Sequence, residues 1–337
     1  MKKSFYLGLF LMIMCVSGGC GEDNSSKEFG NLSDSGADSV PLTSSSSTWP
    51  SDAGLSGHET EQSEDKYPGK DIRIMIPESP NTLVFENDKA VIDYSNSGEG
   101  YFTAKYSGSS PKVKLRLETP GGLTYTYDLF KEEFDTFPLT DGDGNYTVNV
   151  YENIKGNDYI SCLFGSFEVK LKDEFGPALF PNQFVSFDEK SASVQKSNEL
   201  SSSCTGELEI VSVIYDYVTK NIKYDYELAS SPPTGYLPEP DKTLSTGKGI
   251  CLDYASLMAA MLRCHMIPTR LEVGYANDAY HAWISVYTAE KGWINGIIEF
   301  DGNSWSLVDP TFGANMDSSK LKKFIGDGSN YTVSKIF

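Results

Sequence analysis

The sequence predicts an α+β domain preceded by a small antiparallel β-sandwich, and three observations support this fold class. Short runs with alternating apolar residues fill the chain from about residue 68 to 175 and are separated by turn residues. After Pro181 the pattern changes to helical periodicity and a long apolar helix. Several short strand patterns then follow without a repeating βαβ order, which is typical of α+β proteins.

The N-terminal segment is predicted to be an export signal followed by a spacer. Two lysines precede an apolar run, and Ser17-Gly18-Gly19 stands directly before Cys20. This arrangement resembles the lipobox of bacterial lipoproteins, in which the cysteine is diacylated; an ordinary signal peptide is the alternative. We therefore expect a lipoprotein signal peptide over 1–19 and an acidic, Ser/Gly-rich disordered linker over 20–67. The protein should then be extracytoplasmic and lipid-anchored to the bacterial membrane through Cys20.

The amino-acid composition limits which partners the protein can bind and how many disulfides it can form. The 47 acidic and 28 basic residues give a net charge of −19, which argues against nucleic acid as a partner. Cys15 is removed with the signal and Cys20 is expected to carry the lipid, so four of the six cysteines remain for the folded part. This is too few for a disulfide-dense scaffold, and Cys162 with Cys204 is the one pairing that we consider.

Residues 68–175 are predicted to form the β-sandwich accessory domain. Period-two alternation indicates half-buried strands in Asp71–Ile76, Val113–Glu118 and Tyr146–Tyr151. Pro120-Gly121-Gly122 predicts a tight connection between two paired strands. No set of a nucleophile and a base occurs in this part, so a role in binding or spacing is expected.

One acidic stretch in the sandwich partly matches a calcium-binding loop. Asp141, Asp143 and Glu152 have the spacing of acidic calcium ligands. However, Tyr146 stands where such a loop needs glycine for its sharp turn. A hairpin turn is the favoured interpretation, and no metal site is predicted.

Residues 176–337 are predicted to form the catalytic domain. One apolar face runs through Ile210–Ile222, and the stretch from Cys251 to Met266 leaves almost no polar face, which indicates a buried helix. Strands are then predicted at Arg270–Tyr275, His281–Tyr287, Ile297–Phe300 and Trp305–Val308.

Cys251 is the candidate nucleophile of this domain. It follows Gly247 and Gly249 and begins the buried helix, with Asp253 in the first turn. Free N–H groups and the helix dipole at such a position favour an anion, and they generally favour the reactive thiolate form of a cysteine. A buried structural cysteine is the alternative at this point.

The histidines narrow the choice of a base. His58 lies in the linker, and His265 lies about 21 Å from Cys251 along the predicted helix, which is too far for a proton transfer. His281 begins a strand, and Asp309 closes a later one. If these two strands run antiparallel, Asp309 lies within hydrogen-bonding reach of the imidazole and orients it.

These residues resemble a known family. Gly249-Ile250-Cys251-Leu252-Asp253, His281-Ala282-Trp283 and Asp309-Pro310-Thr311 occur in the order found in transglutaminase-like cysteine enzymes. That superfamily has a papain-like Cys-His-Asp core and includes cross-linking transglutaminases, peptidases and amidases. The resemblance covers about 210–315 and implies Cys251 as nucleophile, His281 as base and acid, and Asp309 as the residue that orients the imidazole.

The resemblance implies a surface-tethered thiol enzyme that acts on amide bonds of a protein or peptide, a cell-wall peptide among the candidates. It uses a cysteine thioester and needs no cofactor. A metal site built from Cys251, Cys264, His265 and His281 fails on geometry, because residues 264 and 265 lie far from residue 251 along the helix. The competing function is a non-catalytic cell-wall-binding lipoprotein with a degenerate catalytic domain.

Overall fold

The computed structural model describes residues 71–130, 132–276, 279–294, 298–300, 305–307 and 331–337. Within them an antiparallel β-sandwich precedes an α+β domain, as the sequence predicts. The sandwich has one sheet in the order β1-β2-β3-β6 and one in the order β5-β4-β7-β8. Its strands are β1 Val84–Glu86, β2 Ala90–Asp93, β3 Tyr101–Tyr106, β4 Val113–Glu118, β5 Thr124–Asp128, β6 Asp135–Pro138, β7 Gly144–Lys155 and β8 Asp158–Val169.

The alternation that predicts these strands also builds the sandwich core. Inward positions of β4 and β7 are fully buried, and their outward neighbours are polar. Aromatic rings fill the space between the two sheets, for example Phe102 against Phe137 with ring centroids 5.1 Å apart. The predicted turn at Pro120-Gly121-Gly122 joins β4 to β5, which pair antiparallel.

Two details of the sandwich differ from the sequence-based expectation. Asp71–Ile76 is not a strand, because only Arg73 forms a bridge, and its partner is His265 of the second domain. The acidic stretch at Asp141 is a turn, but it carries the chain from β6 in one sheet to β7 in the other and closes no hairpin. The Asp141 and Asp143 carboxylates accept hydrogen bonds from the backbone N–H groups of Gly121 and Leu171 at 2.7 and 2.8 Å.

The α+β domain is built around one central helix. The helices are α1 Ala192–Ser201, α2 Glu207–Asn221, α3 Tyr226–Ser230, α4 Pro240–Thr246 and α5 Cys251–Arg263. Helix α5 packs against α1, α2 and α4 and against the following β-hairpin. Residues 253–263 are all buried, and each fully buried Leu or Met side chain stabilises the fold by about 1.5–3 kcal/mol. Helix α5 ends at Arg263, earlier than the predicted Met266.

The strands of this domain form one four-stranded sheet and two small pairs. The sheet has the order β13-β12-β11-β16 and is antiparallel throughout; β9 pairs with β10, and β14 with β15. The strands are β9 Lys223–Tyr224, β10 Lys248–Gly249, β11 Thr269–Ala276, β12 Ala279–Thr288, β13 Gly292–Ile294, β14 Ile298–Phe300, β15 Trp305–Leu307 and β16 Tyr331–Ile336.

The packing between the two parts of the chain is continuous. The ring of Phe337 contacts those of Tyr125 and Tyr127 in the sandwich and stacks on Phe184 with centroids 3.9 Å apart. Buried apolar residues of both parts form a single cluster. The boundary at 175/176 therefore stays a prediction, as do the limits of the signal and linker, which lie outside the described residues.

The four cysteines of the folded part are free thiols. Cys162 lies on β8, whereas Cys204 lies in the turn between α1 and α2, and neither is in a disulfide. The pairing considered from the sequence is therefore wrong. Within the described part of the chain, no helix is long and apolar enough to span a bilayer.

Candidate active site

The N-terminus of α5 is fixed by a buried carboxylate. Ile250, the residue before the helix, is extended, and its N–H donates to Asp253 Oδ2 at 2.8 Å. Tyr236 donates its hydroxyl to the other oxygen of Asp253, also at 2.8 Å. Burial raises the pKa of Asp253, and these two hydrogen bonds oppose that change. The helix therefore begins at Cys251 with a defined orientation.

Gly249 allows this close approach. A Cβ atom at residue 249 would lie 2.6 Å from the Cβ of Asp253, so any side chain there would displace the first turn. Gly249 is paired with Tyr224 in the short parallel ladder between β10 and β9. Because β10 leads directly into α5, this pairing fixes the direction from which the chain reaches Cys251. The N–H groups of Cys251 and Leu252 begin the helix, where no preceding turn can accept from them.

Cys251 differs from the three other free thiols in its surroundings. It is partly exposed at the helix start, whereas Cys204 and Cys264 are buried. Burial raises the pKa of Cys264 to about 12 and that of Cys162, on the sandwich, to about 11. These thiols are held in the protonated, unreactive form. Cys251 combines accessibility with a position at a helix N-terminus.

The hairpin of β11 and β12 brings His281 to the same end of the domain. The Nε of Arg263, at the end of α5, donates to the backbone oxygen of Thr269, at the start of β11. From there β11 runs about 20 Å to Tyr275, which matches the rise of about 18 Å along α5. The closed end of the hairpin, which includes His281, therefore lies at the Cys251 end of α5.

Tyr280 marks how close the hairpin comes to the nucleophile. The pKa of Tyr280 is raised, mainly because its hydroxyl is partly removed from water while much of the ring stays exposed, and the neighbouring Tyr275 and Cys251 add to the effect. The rings of Tyr275 and Tyr280 meet edge to face at 5.5 Å, and both are exposed. Sequence reasoning missed this aromatic pair, because exposed tyrosines at the end of a strand carry no specific signal.

His281 lies on the other face of β12 from Tyr280. It is 7% exposed, and its ring is nearly parallel to that of Trp283, with centroids 6.4 Å apart. Ala282 and Ile284, which alternate with His281 and Trp283, belong to the apolar cluster that contains α5. The structure thus brings Cys251 and the start of β12 to one end of the domain.

Two predicted site residues, Cys20 and Asp309, lie outside the described residues. The strand before Asp309 is β15, and within the described chain it pairs with β14 and not with β12. The antiparallel pairing expected between the strands of His281 and Asp309 is therefore absent from that part. Among the described residues, no group of His, Cys, Asp and Glu is arranged to hold a metal ion.

The comparison with protein families identifies this part of the chain. Residues 194–296 match the family model of the transglutaminase-like superfamily. This part of the chain is a transglutaminase-like domain. The match includes α5 with Cys251 and the hairpin with His281, and it ends before Asp309. The fold is accordingly a transglutaminase-like α+β core behind an antiparallel β-sandwich.

Individual proteins give more distant likenesses. The UPF0252 protein MJ1282 of Methanocaldococcus jannaschii is 31% identical over 222 residues, and the match spans 59% of this chain and 62% of that protein. A candidate cysteine protease from Cytophaga hutchinsonii is 15% identical, covers 68% of this chain and 69% of its own, and has a TM-score of 0.32. Red sea bream transglutaminase is 15% identical, covers 64% of this chain and 48% of its own, and has a TM-score of 0.28.

Proposed function

We propose that this chain is a thiol enzyme that acts on amide bonds of a protein or peptide, with Cys251 as nucleophile, His281 as acid and base, and Asp309 as the residue that orients the imidazole. One observation carries the proposal. Cys251 is a partly exposed thiol at the start of a buried helix, and the other three free thiols of the folded part have raised pKa values. The match to the transglutaminase-like superfamily covers Cys251 and His281 and supports a thiol enzyme, whereas Asp309 rests on the sequence motif alone.

In the proposed reaction, the Cys251 thiolate attacks the amide carbonyl carbon and forms a new C–S bond. The N–H groups of Cys251 and Leu252 stabilise the negative charge that develops on the carbonyl oxygen. When the C–N bond breaks, the His281 imidazolium gives its proton to the leaving amine. Water or a primary amine then attacks the thioester while His281 accepts its proton. The C–S bond breaks, which yields an acid or a new amide and regenerates the Cys251 thiolate beside the His281 imidazolium.

Mass spectrometry of peptide substrates tests the proposal. The full-length protein is incubated with a library of glutamine-containing peptides, with and without a biotin-tagged primary amine. Peptide cleavage indicates a peptidase, conversion of glutamine to glutamate indicates an amidase, and an amine adduct indicates a transamidase. Cys251→Ala abolishes whichever product forms, and Cys162→Ala, a partly exposed thiol on the sandwich, leaves it unchanged.

The competing function is a non-catalytic binding lipoprotein in which the sandwich recognises the cell wall. Continuous packing between the sandwich and the α+β domain is compatible with either function. A pull-down with purified cell wall separates the two. Wall retention by both wild type and Cys251→Ala, together with no product from the peptide library, supports the binding function and contradicts the enzyme.

We also propose that the protein is tethered outside the bacterial membrane by lipid on Cys20. The proposal rests on the sequence Ser17-Gly18-Gly19-Cys20 behind an apolar run. In a bacterial host that acylates lipoproteins, Cys20→Ala should move the protein to the soluble fraction or leave the signal uncleaved. Identical fractionation of both forms, with no lipid mass on Cys20, would contradict the tether.

A further inference from the structure

A buried carboxylate lies on the sheet that carries His281. Glu272, on β11, is 5% exposed. The alternation of apolar and polar residues along β11 would instead predict that it faces solvent. Its Oε2 accepts a hydrogen bond from Trp283 Nε1 at 2.7 Å and another from Ser285 Oγ at 2.8 Å. Both donors are on β12, and Trp283 is the direct register partner of Glu272. A carboxylate therefore links the two strands of the hairpin from the inside.

The electrostatic surroundings of Glu272 set it apart from a structural ion pair. Burial raises its pKa, while the two hydrogen bonds and the positive charge of Arg270 act in the opposite direction. Arg270 is itself half-buried, and its guanidinium lies 3.7 Å from the ring centroid of Trp293. Among the described residues, Glu174 is a second carboxylate that acts on Arg270. The two hydrogen bonds that Glu272 accepts thus come from neutral donors. Because burial of a carboxylate without a directly bonded cation lowers the stability of a fold, stability alone does not explain this position.

The hydrogen bond to Trp283 acts on the surroundings of His281. Trp283 is 1% exposed, and its ring lies nearly parallel to the imidazole, at an angle of 26°. Gly274 is the register partner of His281 on β11, and β16 passes so close that a Cβ there would lie 1.9 Å from the backbone oxygen of Thr332. The imidazole therefore has an indole held by a hydrogen bond beside it along β12 and the closely packed backbone of Gly274 across from it on β11.

We propose that Glu272 is a positioning residue for the reaction proposed above, because it fixes the indole of Trp283 and thereby the orientation of the His281 imidazole. The proposal rests on the proposed function, since it assigns a purpose to the orientation of His281. A displacement of a catalytic group by about 1 Å can lower the reaction rate about a hundredfold. An indole that is held rigidly beside the imidazole therefore helps to maintain the rate. Such supporting hydrogen bonds are a general requirement of precise sites.

The test measures the rate at which iodoacetamide modifies Cys251 as a function of pH, by mass spectrometry of the Cys251 peptide from the full chain. Glu272→Leu removes the acceptor, and Trp283→Phe keeps a ring beside His281 without the N–H. Each is expected to lower the rate at pH 6 about tenfold, less than the ~100-fold that a full 1 Å displacement costs. Glu272→Gln keeps an acceptor oxygen and should restore most of the rate.

A double-mutant cycle makes the test specific. If the two residues act through one hydrogen bond, the variant that carries both Glu272→Leu and Trp283→Phe is no slower than the slower single variant. Glu152→Gln, which changes a buried carboxylate of the sandwich, is the control for general destabilisation and should leave the Cys251 profile unchanged. If Glu272→Leu does not fold, Trp283→Phe and Glu272→Gln still report on the same bond.

The outcomes separate the positioning role from the proposed function. The role of Glu272 is overturned if the two losses multiply in the double variant, or if both single variants keep the wild-type profile. In either case the dependence of the Cys251 alkylation rate on His281 stands. A wild-type rate that is indifferent to His281→Ala would instead remove the proposed function. Non-additive losses with recovery in Glu272→Gln support the positioning role.

Discussion

The fold shifts the pKa values of two buried glutamates, one in each part of the chain, in opposite directions. Glu152, on β7 of the sandwich, is 9% exposed and accepts hydrogen bonds from Lys89 Nζ at 2.7 Å and from the Tyr106 hydroxyl. These partners lower its pKa. Glu272, on β11, is 5% exposed and bonded to neutral donors, and burial raises its pKa. The residue type is the same, but Glu272 lies much deeper in the protein than Glu152, which is near the exposed Lys89, and the balance is reversed.

This difference indicates that the burial of Glu272 lowers the stability of the fold and serves another purpose. The sandwich neutralises its buried carboxylate with a lysine, which is what stability alone requires. The transglutaminase-like domain bonds Glu272 to neutral donors, with Arg270 as a charged neighbour, and it bonds Arg263 to backbone oxygens, where burial lowers the pKa of Arg263 to about 9. Titratable groups with perturbed pKa values are concentrated at functional sites. Raised pKa values also occur in the sandwich, at Asp135 and Cys162, so the contrast concerns the two glutamates alone and supports a role for Glu272 beyond stability.

The largest expected effect on stability comes from Arg263. Its guanidinium donates to the backbone oxygens of Thr269, Phe180 and Phe337 at 2.9, 2.7 and 2.8 Å. Arg263→Met fills similar space but removes the guanidinium donor from these buried oxygens, of which that of Phe337 still accepts from the N–H of Leu271 at 3.0 Å. Because each unsatisfied buried group costs about 1–3 kcal/mol, the free energy of unfolding should fall by about 3 kcal/mol or more in urea denaturation.

The control for Arg263 is Lys220, an exposed residue of α2 that pairs with Asp216. Lys220→Met should change the free energy of unfolding by no more than about 0.5 kcal/mol. An equally small change in Arg263→Met would mean that the guanidinium does not hold α5 to its neighbours.

The two glutamates should respond differently to the same substitution. Glu152→Gln removes a charged acceptor from Lys89 and from the Tyr106 hydroxyl and should lower the free energy of unfolding. Glu272→Gln replaces a buried carboxylate by a neutral amide, so stability should stay the same or rise. The comparison breaks down if Glu272→Gln destabilises the protein as much as Glu152→Gln.

The pH dependence of stability should have opposite signs at the two sites. The native pKa of Glu152 lies below 4.5, so its stabilising contribution is present above pH 4.5 and is lost as the pH falls through the native value. The native pKa of Glu272 lies above 4.5, so its contribution is present below pH 4.5 and is lost as the pH rises through the native value.

Melting temperatures measured at pH values below and above 4.5 test the two opposite pH dependences of stability. The difference between wild type and E152Q should grow as the pH rises, and the difference between wild type and E272Q should shrink or change sign. Parallel curves for the two variants would contradict the opposite treatment of the two carboxylates.

Local patterns account for what the sequence could predict. The start of α5 at Cys251, the hairpin with His281 and the strands of the sandwich follow from apolar periodicity and from glycine placement. Helix α1 was missed because its buried positions are Ser193, Ser197 and Ser201, which carry no hydrophobic signal. Two of these hydroxyls bond to other helices, that of Ser193 to Asp241 at 2.7 Å and that of Ser197 to the backbone oxygen of Met261 at 2.6 Å.

Contacts between distant segments account for what the sequence could not predict. The alternation in β11 suggests that Glu272 faces solvent, but the face that carries it is covered, with Phe175 packed against Tyr287 at 4.3 Å. The addition of β16 beside β11 joins segments far apart in the chain. The link of Tyr236 to Asp253 likewise depends on a loop whose path no local pattern specifies.

The central claim, that Cys251 is a nucleophile assisted by His281, is tested most directly by site-resolved alkylation with iodoacetamide at pH 6. The account predicts that Cys251 reacts well before Cys264, that His281→Ala shifts the midpoint of the pH profile upward because the imidazolium is lost, and that Asp309→Asn shifts it less while strongly reducing turnover. A Cys251 that reacts no faster than a model thiol, and equally in His281→Ala, would contradict the account.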